Sequence, residues 1–510
     1  MKILDCTIRD GGYYTNWDFD KNLVAIYIES INNLPIEYIE VGYRSFAQKE
    51  YLGEYFYLPL YVMKHLKDKT TKKLVIILNE KDVKAQDVKE LLTPCLGLIT
   101  MVRLAIDPEN LERAIGLAKV VKSMGFEVGF NVMYMSKWKQ YGSFLDLLPK
   151  IKGVADYFYM VDSYGGVYPN DVKETIEMVR SRVDVPLGFH GHNNMELALI
   201  NTLTAIENGV DIVDVTITGM GRGAGNLKTE LLLTALNAKG QLDIDFNVLS
   251  KVVDGFTNLQ KEYEWGTNLP YMVSGANSLP QKDVMDWVGK RYYSFNSIIR
   301  ALQNQFKGIQ DNHRLKDFKT ETKFNRAIII GGGPTVAQHS VAIKDFLSKN
   351  NDIAIVHASS KNARIFKELS NNQFFCLVGN EGHRMEEVFN GVIPESAICV
   401  LPPFPRKMGT YIPKVALNLS FELRGNDFTA KFIDSHTAIA LQTILDLKVN
   451  EIFVTGYDGY SNNNLDEKAQ ELLIENRFLF FEFLKFSGIR ITSLTPSDYD
   501  FNFSSVYSIL

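Results

Sequence analysis

Val185-Pro-Leu-Gly-Phe-His190-Gly-His192-Asn-Asn194 reads as a short buried strand that ends in two imidazoles. In extended backbone, residues i and i+2 point to the same side, so His190 and His192 can reach one cation. Other strands of the same kind are spaced along the first 235 or so residues: Lys2–Thr7, Tyr38–Gly42, Leu74–Leu78, Leu98–Leu104, Glu127–Val132, Tyr157–Val161 and Asp211–Ile217, with Pro186–Phe189 the seventh of eight. Helically spaced segments such as Leu111–Val121 and Val172–Val179 lie between them. Eight βα units in about 235 residues match a (β/α)8 barrel, with an open doubly wound sheet as the rival.

A barrel places its chemistry at the carboxyl ends of the strands. An Arg9-Asp10-Gly-Gly turn is expected to close strand 1, Glu40 ends strand 2, Arg103 ends strand 4 and Asn131 closes strand 5. Asp162 and Ser163 follow strand 6, with Tyr164 beside them, the histidines close strand 7, and Asn226 sits in the loop Gly219-Met-Gly-Arg-Gly-Ala-Gly-Asn226 after strand 8. Asp10, His190 and His192, with Asn226 able to add a carbonyl oxygen, form a mixed oxygen and nitrogen donor set. Such a set suits Mg²⁺, Mn²⁺, Co²⁺ or Zn²⁺, and the lack of thiolate argues against structural zinc. A 2-oxo acid can chelate at the remaining positions, and Arg9 is placed to hold developing enolate charge. An Arg9-Asp10 ion pair with the histidines as hydrogen-bonded rim residues is the alternative. Glu40, Arg103, Asn131, Ser163 and Tyr164 are further candidates to hydrogen-bond the substrate or a metal-bound water, although Glu40 and Arg103 could equally form a buried ion pair.

The remainder of the chain frames this site. With 510 residues, 46% hydrophobic and 23% charged, the chain has ample core for several domains, and a net charge of −5 supplies no electrostatic argument for nucleic acid or anionic membrane. Cys6, Cys95, Cys376 and Cys399 form no Cys-x-x-Cys and are expected as buried thiols. No apolar run approaches a membrane span, no signal peptide is read ahead of the first strand, and the expectation is a cytoplasmic homo-oligomer. Residues 1–240 are read as the barrel. Residues 241–323 are read as a helical appendage and connector, with helices Phe246–Tyr263 and Gln281–Gln305, a turn-rich Pro270–Pro280 and a polar boundary from Gln310 to Lys323. Residues 324–510 are read as a Rossmann-like α/β domain. It opens with Arg326-Ala-Ile-Ile-Ile-Gly331-Gly332-Gly333-Pro334, continues through a helix Val336–Leu347, and has strands Ile353–His357, Phe374–Val378, Ala397–Leu401, Lys414–Leu417 and Glu451–Thr455. Gly331, Gly332 and Gly333 could present amides to a phosphate, although the full Gly-x-Gly-x-x-Gly is missing and no acidic residue ends the next strand. Gly456-Tyr-Asp-Gly-Tyr460 supplies a second glycine-rich turn.

Leu4-Asp-Cys-Thr-Ile-Arg-Asp-Gly-Gly12, Ile39-Glu-Val-Gly42, Asp162-Ser163, Gly188-Phe-His-Gly-His-Asn193 and Gly221-Arg-Gly-Ala-Gly-Asn226 resemble the metal-dependent aldolase and condensing-enzyme superfamily. That superfamily includes 4-hydroxy-2-oxovalerate aldolase, 3-hydroxy-3-methylglutaryl-CoA lyase and isopropylmalate synthase. The resemblance covers roughly residues 1–300. It implies a divalent metal, usually Mg²⁺ or Mn²⁺, on Asp10, His190 and His192, with Asn226 as a fourth ligand and Arg9 stabilising an enolate. The loop without cysteine and the Asp10-Gly-Gly-Tyr-Tyr14 continuation favour the aldolase branch, which cleaves a 4-hydroxy-2-oxo acid to pyruvate and an aldehyde. Where that branch carries a catalytic histidine, this chain has Tyr13; a phenol with an ordinary pKa near 10 is a poor base unless a cation lowers it, so Tyr13 works with a metal-bound water, acts as the acid in the condensing direction, or only walls the pocket. The carboxy-terminal stretch is loosely similar to domains that handle nucleotide sugars, which implies a nucleotide or nucleotide-sugar partner and a sugar-derived aldehyde in glycan metabolism. A Claisen-type acyl-CoA condensing enzyme, or a scaffold barrel serving a nucleotide-binding domain, are the competing functions.

Overall fold

A computed structural model describes residues 1–510 except positions 50, 291–294, 309–313, 321, 395–396, 407–408 and 460–466. Two compact units result, Met1–Met285 and Asp286–Leu510, so the division falls within the helical segment rather than at the polar connector.

The first unit is a closed parallel barrel of β1 (Lys2–Asp5), β2 (Tyr38–Tyr43), β3 (Lys73–Asn79), β4 (Met101–Ile106), β5 (Glu127–Val132), β6 (Tyr157–Asp162), β7 (Leu187–Gly191) and β8 (Ile212–Val215). Each strand is a short run of β-branched and aromatic residues that packs inward and outward at once, so it is buried along nearly its whole length. Leu111–Ser123 and Pro169–Arg180 form helices as their spacing predicts. Two local readings change. Arg9 and Asp10 lie not in a turn but in the helix Thr7–Thr15, which starts where Asp5 accepts hydrogen bonds from the Thr7 amide (2.9 Å) and hydroxyl (2.6 Å). Pro270–Pro280 is largely the helix Leu269–Ala276, capped by Asn268, which accepts from the Tyr271 amide.

Inside the barrel, β2, β4, β6 and β8 contribute one layer: Glu40, Arg103, Tyr159 and Asp214. Arg103 is fully buried and donates to Glu40 (3.1 Å) and Asp214 (2.6 Å), with Tyr159 beneath its guanidinium at 4.0 Å. The floor below is polar, with Lys2 donating to the Tyr157 hydroxyl at 2.6 Å. Phe246–Tyr263 is a helix as expected and packs on the helix Lys21–Asn32.

The second unit is a nine-stranded parallel, Rossmann-like sheet: β9 (Lys316–Asp317), β10 (Arg326–Ile330), β11 (Ile353–His357), β12 (Gln373–Cys376), β13 (Ile398–Leu401), β14 (Ser420–Glu422), β15 (Glu451–Thr455), β16 (Ile491–Ser493) and β17 (Asn502–Phe503). Their spatial order is β17-β16-β15-β10-β11-β12-β13-β14-β9. Lys414–Leu419 is a 3₁₀ helix, and the strand expected there forms at Ser420–Glu422 instead. Gln281–Gln305 is described as two helices, Gln281–Lys290 and Phe295–Phe306, with 291–294 outside the described residues, as are Gln310–His313 of the connector and Tyr460. All four cysteines are buried free thiols. No helix among the described residues is long and apolar enough to cross a membrane.

Candidate metal and substrate site

β1, β7 and the loop after β8 bring Asp10, His190, His192 and Asn226 together at the carboxyl end of the barrel, each at least nine-tenths buried. Gly188 leaves room for Tyr159, since a Cβ there would lie 2.3 Å from its ring, so β7 can run close enough to present His190. His190 Nε2 lies 3.7 Å from Asp10 Oδ2, and the two imidazole centroids are 4.9 Å apart. Bonds of about 2.1 Å to one ion put its ligand atoms about 3 to 4 Å apart, so this spacing fits a shared cation.

The remaining ring nitrogens are fixed by the protein. Nδ1 of His190 meets Asp214 Oδ2 at 2.8 Å, and Nδ1 of His192 meets the Asp162 carbonyl at 2.7 Å. Both Nδ1 atoms face acceptors and therefore carry the protons, which leaves each Nε2 lone pair for a cation. Burial, with His190 beside it, lowers the His192 pKa to about 3, so His192 stays neutral. Burial would raise Asp10, but Arg9 and the two histidines outweigh it and hold the carboxyl at about 2. Asn226 donates to Asp10 at 2.7 Å while its own Oδ1 is buried without a partner, an orphan oxygen that a cation would satisfy. The donor set fits a divalent metal. Cys6, His190 and Asp214 also bring ligand atoms within 4.8 Å of one another, but Asp214 is already held by Arg103 and the Cys6 thiol is pushed up by burial. That cluster backs His190 rather than competing for the ion.

Arg9 is tied to Asp10 and, through Nε at 2.7 Å, to Glu40. The expected Arg9-Asp10 ion pair therefore exists within the same cluster as the imidazoles. Glu40 is fully buried and reaches Arg9 and Arg103, which makes it a positioning residue. Three candidates for substrate contact also meet scaffold groups, Arg103 in the ion pair with Glu40 that the sequence left open. Arg103 lies under the rim in ion pairs with Glu40 and Asp214; Asn131 accepts from Arg103 Nε at 2.6 Å; and Ser163 accepts from the Tyr134 amide at 2.9 Å. Tyr164 stacks on Tyr134 with centroids 5.3 Å apart. Tyr13 is half-buried, shares a hydrogen bond of 2.9 Å with the Tyr43 hydroxyl, and lies under the Arg222 guanidinium at 4.7 Å. Tyr14 donates to the Gly223 carbonyl at 3.3 Å.

Three functional neighbours were not singled out from sequence. Asp214 is a charged residue inside the apolar run Ile212–Val215, and that break in the pattern was its signal. Asp5 accepts from Thr7, Tyr27 and Thr229, anchoring the helix that carries Arg9 and Asp10; an aspartate two residues before a threonine at a strand end was the cue. Arg222 stood alone among glycines.

In the second unit, the amides of Gly331 and Gly333, two of the three glycines proposed for a phosphate, are already hydrogen-bonded. The Gly331 amide donates to Thr455 (2.8 Å), the Gly333 amide to Gly456 (2.9 Å) and the Thr335 amide to Asp458 (3.0 Å). A Cβ on Gly331 would lie 2.4 Å from the Gly456 carbonyl, so close approach of two turns explains that glycine. The same residues line a cavity of about 400 Å³ together with Lys361, Arg384 and His436.

The sequence profile of the HMGL-like family matches residues 1–256. The 4-hydroxy-2-oxovalerate aldolase of Pelotomaculum thermopropionicum is 30% identical over 275 residues, covering 51% of this chain and 76% of that protein. The oxaloacetate decarboxylase of Mycobacterium tuberculosis is 29% identical over 253 residues, covering 47% and 71%. Among solved structures, the N-terminal domain of a candidate aldolase from Bacteroides vulgatus is 59% identical and aligns over 59% of this chain and 100% of that one, with a TM-score of 0.57. A profile match across half the chain, on the unit that carries the rim cluster, places this chain in the HMGL-like family.

Proposed function

We propose that the barrel is a divalent-metal-dependent aldolase that cleaves a 4-hydroxy-2-oxo acid to pyruvate and an aldehyde, or joins the two. The observation that carries this reading is the pair of imidazoles whose Nδ1 atoms are locked by Asp214 and the Asp162 carbonyl, leaving both Nε2 lone pairs uncommitted and that of His190 3.7 Å from Asp10 Oδ2. Asp10, His190 and His192 would hold the cation, with Asn226 Oδ1 as the fourth donor. When bound, Mn²⁺ or Mg²⁺ supplies Lewis-acid polarisation of the keto oxygen of the 2-oxo acid; Co²⁺ and Zn²⁺ accept the same donors.

The chain's own groups do the rest. Arg9, held by Glu40, donates to the oxygen on which negative charge grows as the methyl carbon gives its proton to solvent water. That carbon then bonds to the aldehyde carbon, and the aldehyde oxygen takes a proton for which Tyr13, backed by Tyr43, is the placed donor. In cleavage the substrate hydroxyl gives its proton to solvent water as the carbon–carbon bond breaks, and the enolate carbon takes one back from water. Both relatives named above fit this demand, because decarboxylation of oxaloacetate and aldol cleavage each leave the enolate of pyruvate.

The test is deuterium exchange at the pyruvate methyl in D₂O with Mn²⁺. Asp10→Asn and His190→Ala are expected to lower exchange by about 100-fold or more and to weaken Mn²⁺ binding measured by electron paramagnetic resonance. Exchange unchanged in either variant rejects the assignment.

A further inference from the structure

Arg222 is the one rim arginine of the three described here that has no carboxylate. Arg9 is tied to Asp10 and Glu40, and Arg103 to Glu40 and Asp214. Among the described residues the Arg222 side chain makes no hydrogen bond and no ion pair; its contact is the face of Tyr13 at 4.7 Å. It is nevertheless half-buried, within reach of the Asp10 charge and beside Tyr43 and Tyr134. A guanidinium stays charged at any physiological pH and presents five donors, so leaving it desolvated without an acceptor is costly. The backbone does not let it swing away freely: the Arg222 carbonyl accepts from the Gly225 amide at 3.0 Å, and Tyr14 holds the Gly223 carbonyl at 3.3 Å.

The wall beside it is aromatic. Tyr134 stacks on Tyr164, and Lys137, also half-buried and without an ion pair among the described residues, sits 4.8 Å over the Tyr164 ring. Asp107 is the acidic group that this wall also feels. Cations backed by ring faces, with their donors unspent, are what an anionic ligand group needs. The 2-oxo acid already has the metal ligands and Arg9 for its own oxygens, so the anion that Arg222 awaits belongs to the other reactant.

We infer that Arg222 binds an anionic group on the aldehyde, remote from its carbonyl, so that the acceptor is an aldehyde carrying a carboxylate or a phosphate. This rests on the aldolase reading above. It adds a substrate class and a specificity residue to that reading.

The experiment compares kcat/KM for propanal, succinic semialdehyde and glyceraldehyde 3-phosphate, each with pyruvate and Mn²⁺, in the full chain and in Arg222→Gln and Arg222→Lys. One charged aldehyde is expected to exceed propanal by about 100-fold, the Gln variant to lose that advantage, and the Lys variant to recover part of it. Preference for the semialdehyde assigns a carboxylate, and preference for the phosphorylated aldehyde assigns a phosphate. A second readout needs no metal and no turnover: calorimetric binding of 4-hydroxybutyrate and glycerol 3-phosphate, expected to weaken about tenfold or more in Arg222→Gln. Pyruvate methyl exchange in the unaltered protein reports the aldolase reading separately. Exchange without any preference for charged aldehydes overturns this inference alone, absence of exchange removes both, and an equal loss on propanal and charged aldehydes in Arg222→Gln reduces Arg222 to a structural part of its loop.

Discussion

His190 and His192 are legible in the sequence as a pair, but their chemistry depends on partners that are not. Asp214 and the Asp162 carbonyl come from strands 24 to 30 residues away, and only closure of the barrel sets them behind the rings. Spacing therefore finds ligands more readily than it finds what orients them. Arg103 illustrates the converse: a strand-end arginine reads as a substrate contact, yet the inward pleat sends it beneath the rim to Glu40 and Asp214. A third histidine shows burial without ligation. His357 is 1% exposed, stacks on Phe375 at 4.5 Å and hydrogen-bonds Gln373 through Nε2 at 2.8 Å. Burial lowers its pKa from 6.5 to about 4, partly opposed by Gln373. The folded pKa is thus below the unfolded one, and the unfolded chain binds the proton first as pH falls. Stability from this group is intact above pH 6.5 and is lost as pH drops toward 4, by about 3 kcal/mol. Urea denaturation at pH 7 and pH 4.5 is expected to show His357→Phe losing markedly less stability than the unaltered chain over that interval; equal losses would place the acid sensitivity elsewhere.

At the scale of elements, the strands were the most readable part because β-branched runs bounded by turn residues have few other uses. Glu127–Val132, Ile353–His357 and Glu451–Thr455 form where the pattern puts them. Lys414–Leu417 misled because a short apolar run after a proline suits a 3₁₀ turn as well as a strand, and the strand begins only at Ser420. Leu269–Ala276 was hidden by its glycine and serine content, although Asn268 and Pro270 are a helix-start signature. Two glycines separate packing from propensity. In Gly188→Val, side-chain atoms would be driven into the Tyr159 ring that supports Arg103, so the expected cost is about 3 kcal/mol or more, together with weaker Mn²⁺ binding at His190. Gly116 lies within the helix Leu111–Ser123 with nothing within 4 Å of an added Cβ, and Gly116→Ala is expected to stabilise by about 0.5 to 1 kcal/mol. Melting curves of the two variants should move in opposite directions. A Gly188→Val protein that melts with the parent would show that β7 has slack there, and the presentation of His190 would need another cause.

For the whole molecule, two α/β units are visible in the sequence, but the line between them is not. The polar composition of residues 310–323 suggests a linker, yet Lys316–Asp317 within it pairs with Phe421 and Glu422 and completes the edge of the second sheet. Backbone pairing of this kind leaves no compositional trace. The order of that sheet carries a further consequence. Successive strands run outward from β10 through β11, β12, β13 and β14, while β15, β16 and β17 lie on its other side, so the winding reverses between β10 and β15. Parallel sheets bind ligands outside the carboxyl ends of strands at such a reversal. The cavity of about 400 Å³ lies there, bordered by Gly331 after β10 and Gly456 after β15, and its size is in the range of small-molecule sites, about 300 to 1,000 Å³. Because the Gly331, Gly333 and Thr335 amides are spent on Thr455, Gly456 and Asp458, a phosphate would draw chiefly on Lys361 and Arg384, with His436 Nδ1, which has no partner among the described residues, free for a hydroxyl or base. A nucleotide or nucleotide sugar bound at about 100 times its Kd would stabilise its unit by about 2.7 kcal/mol. Thermal melting of the full chain with CMP, UMP and their sugar conjugates is expected to show an upward shift for at least one of them, reduced in Lys361→Ala. Flat curves across that series would leave the cavity without a nucleotide, and the second unit would then have to be explained by its surfaces.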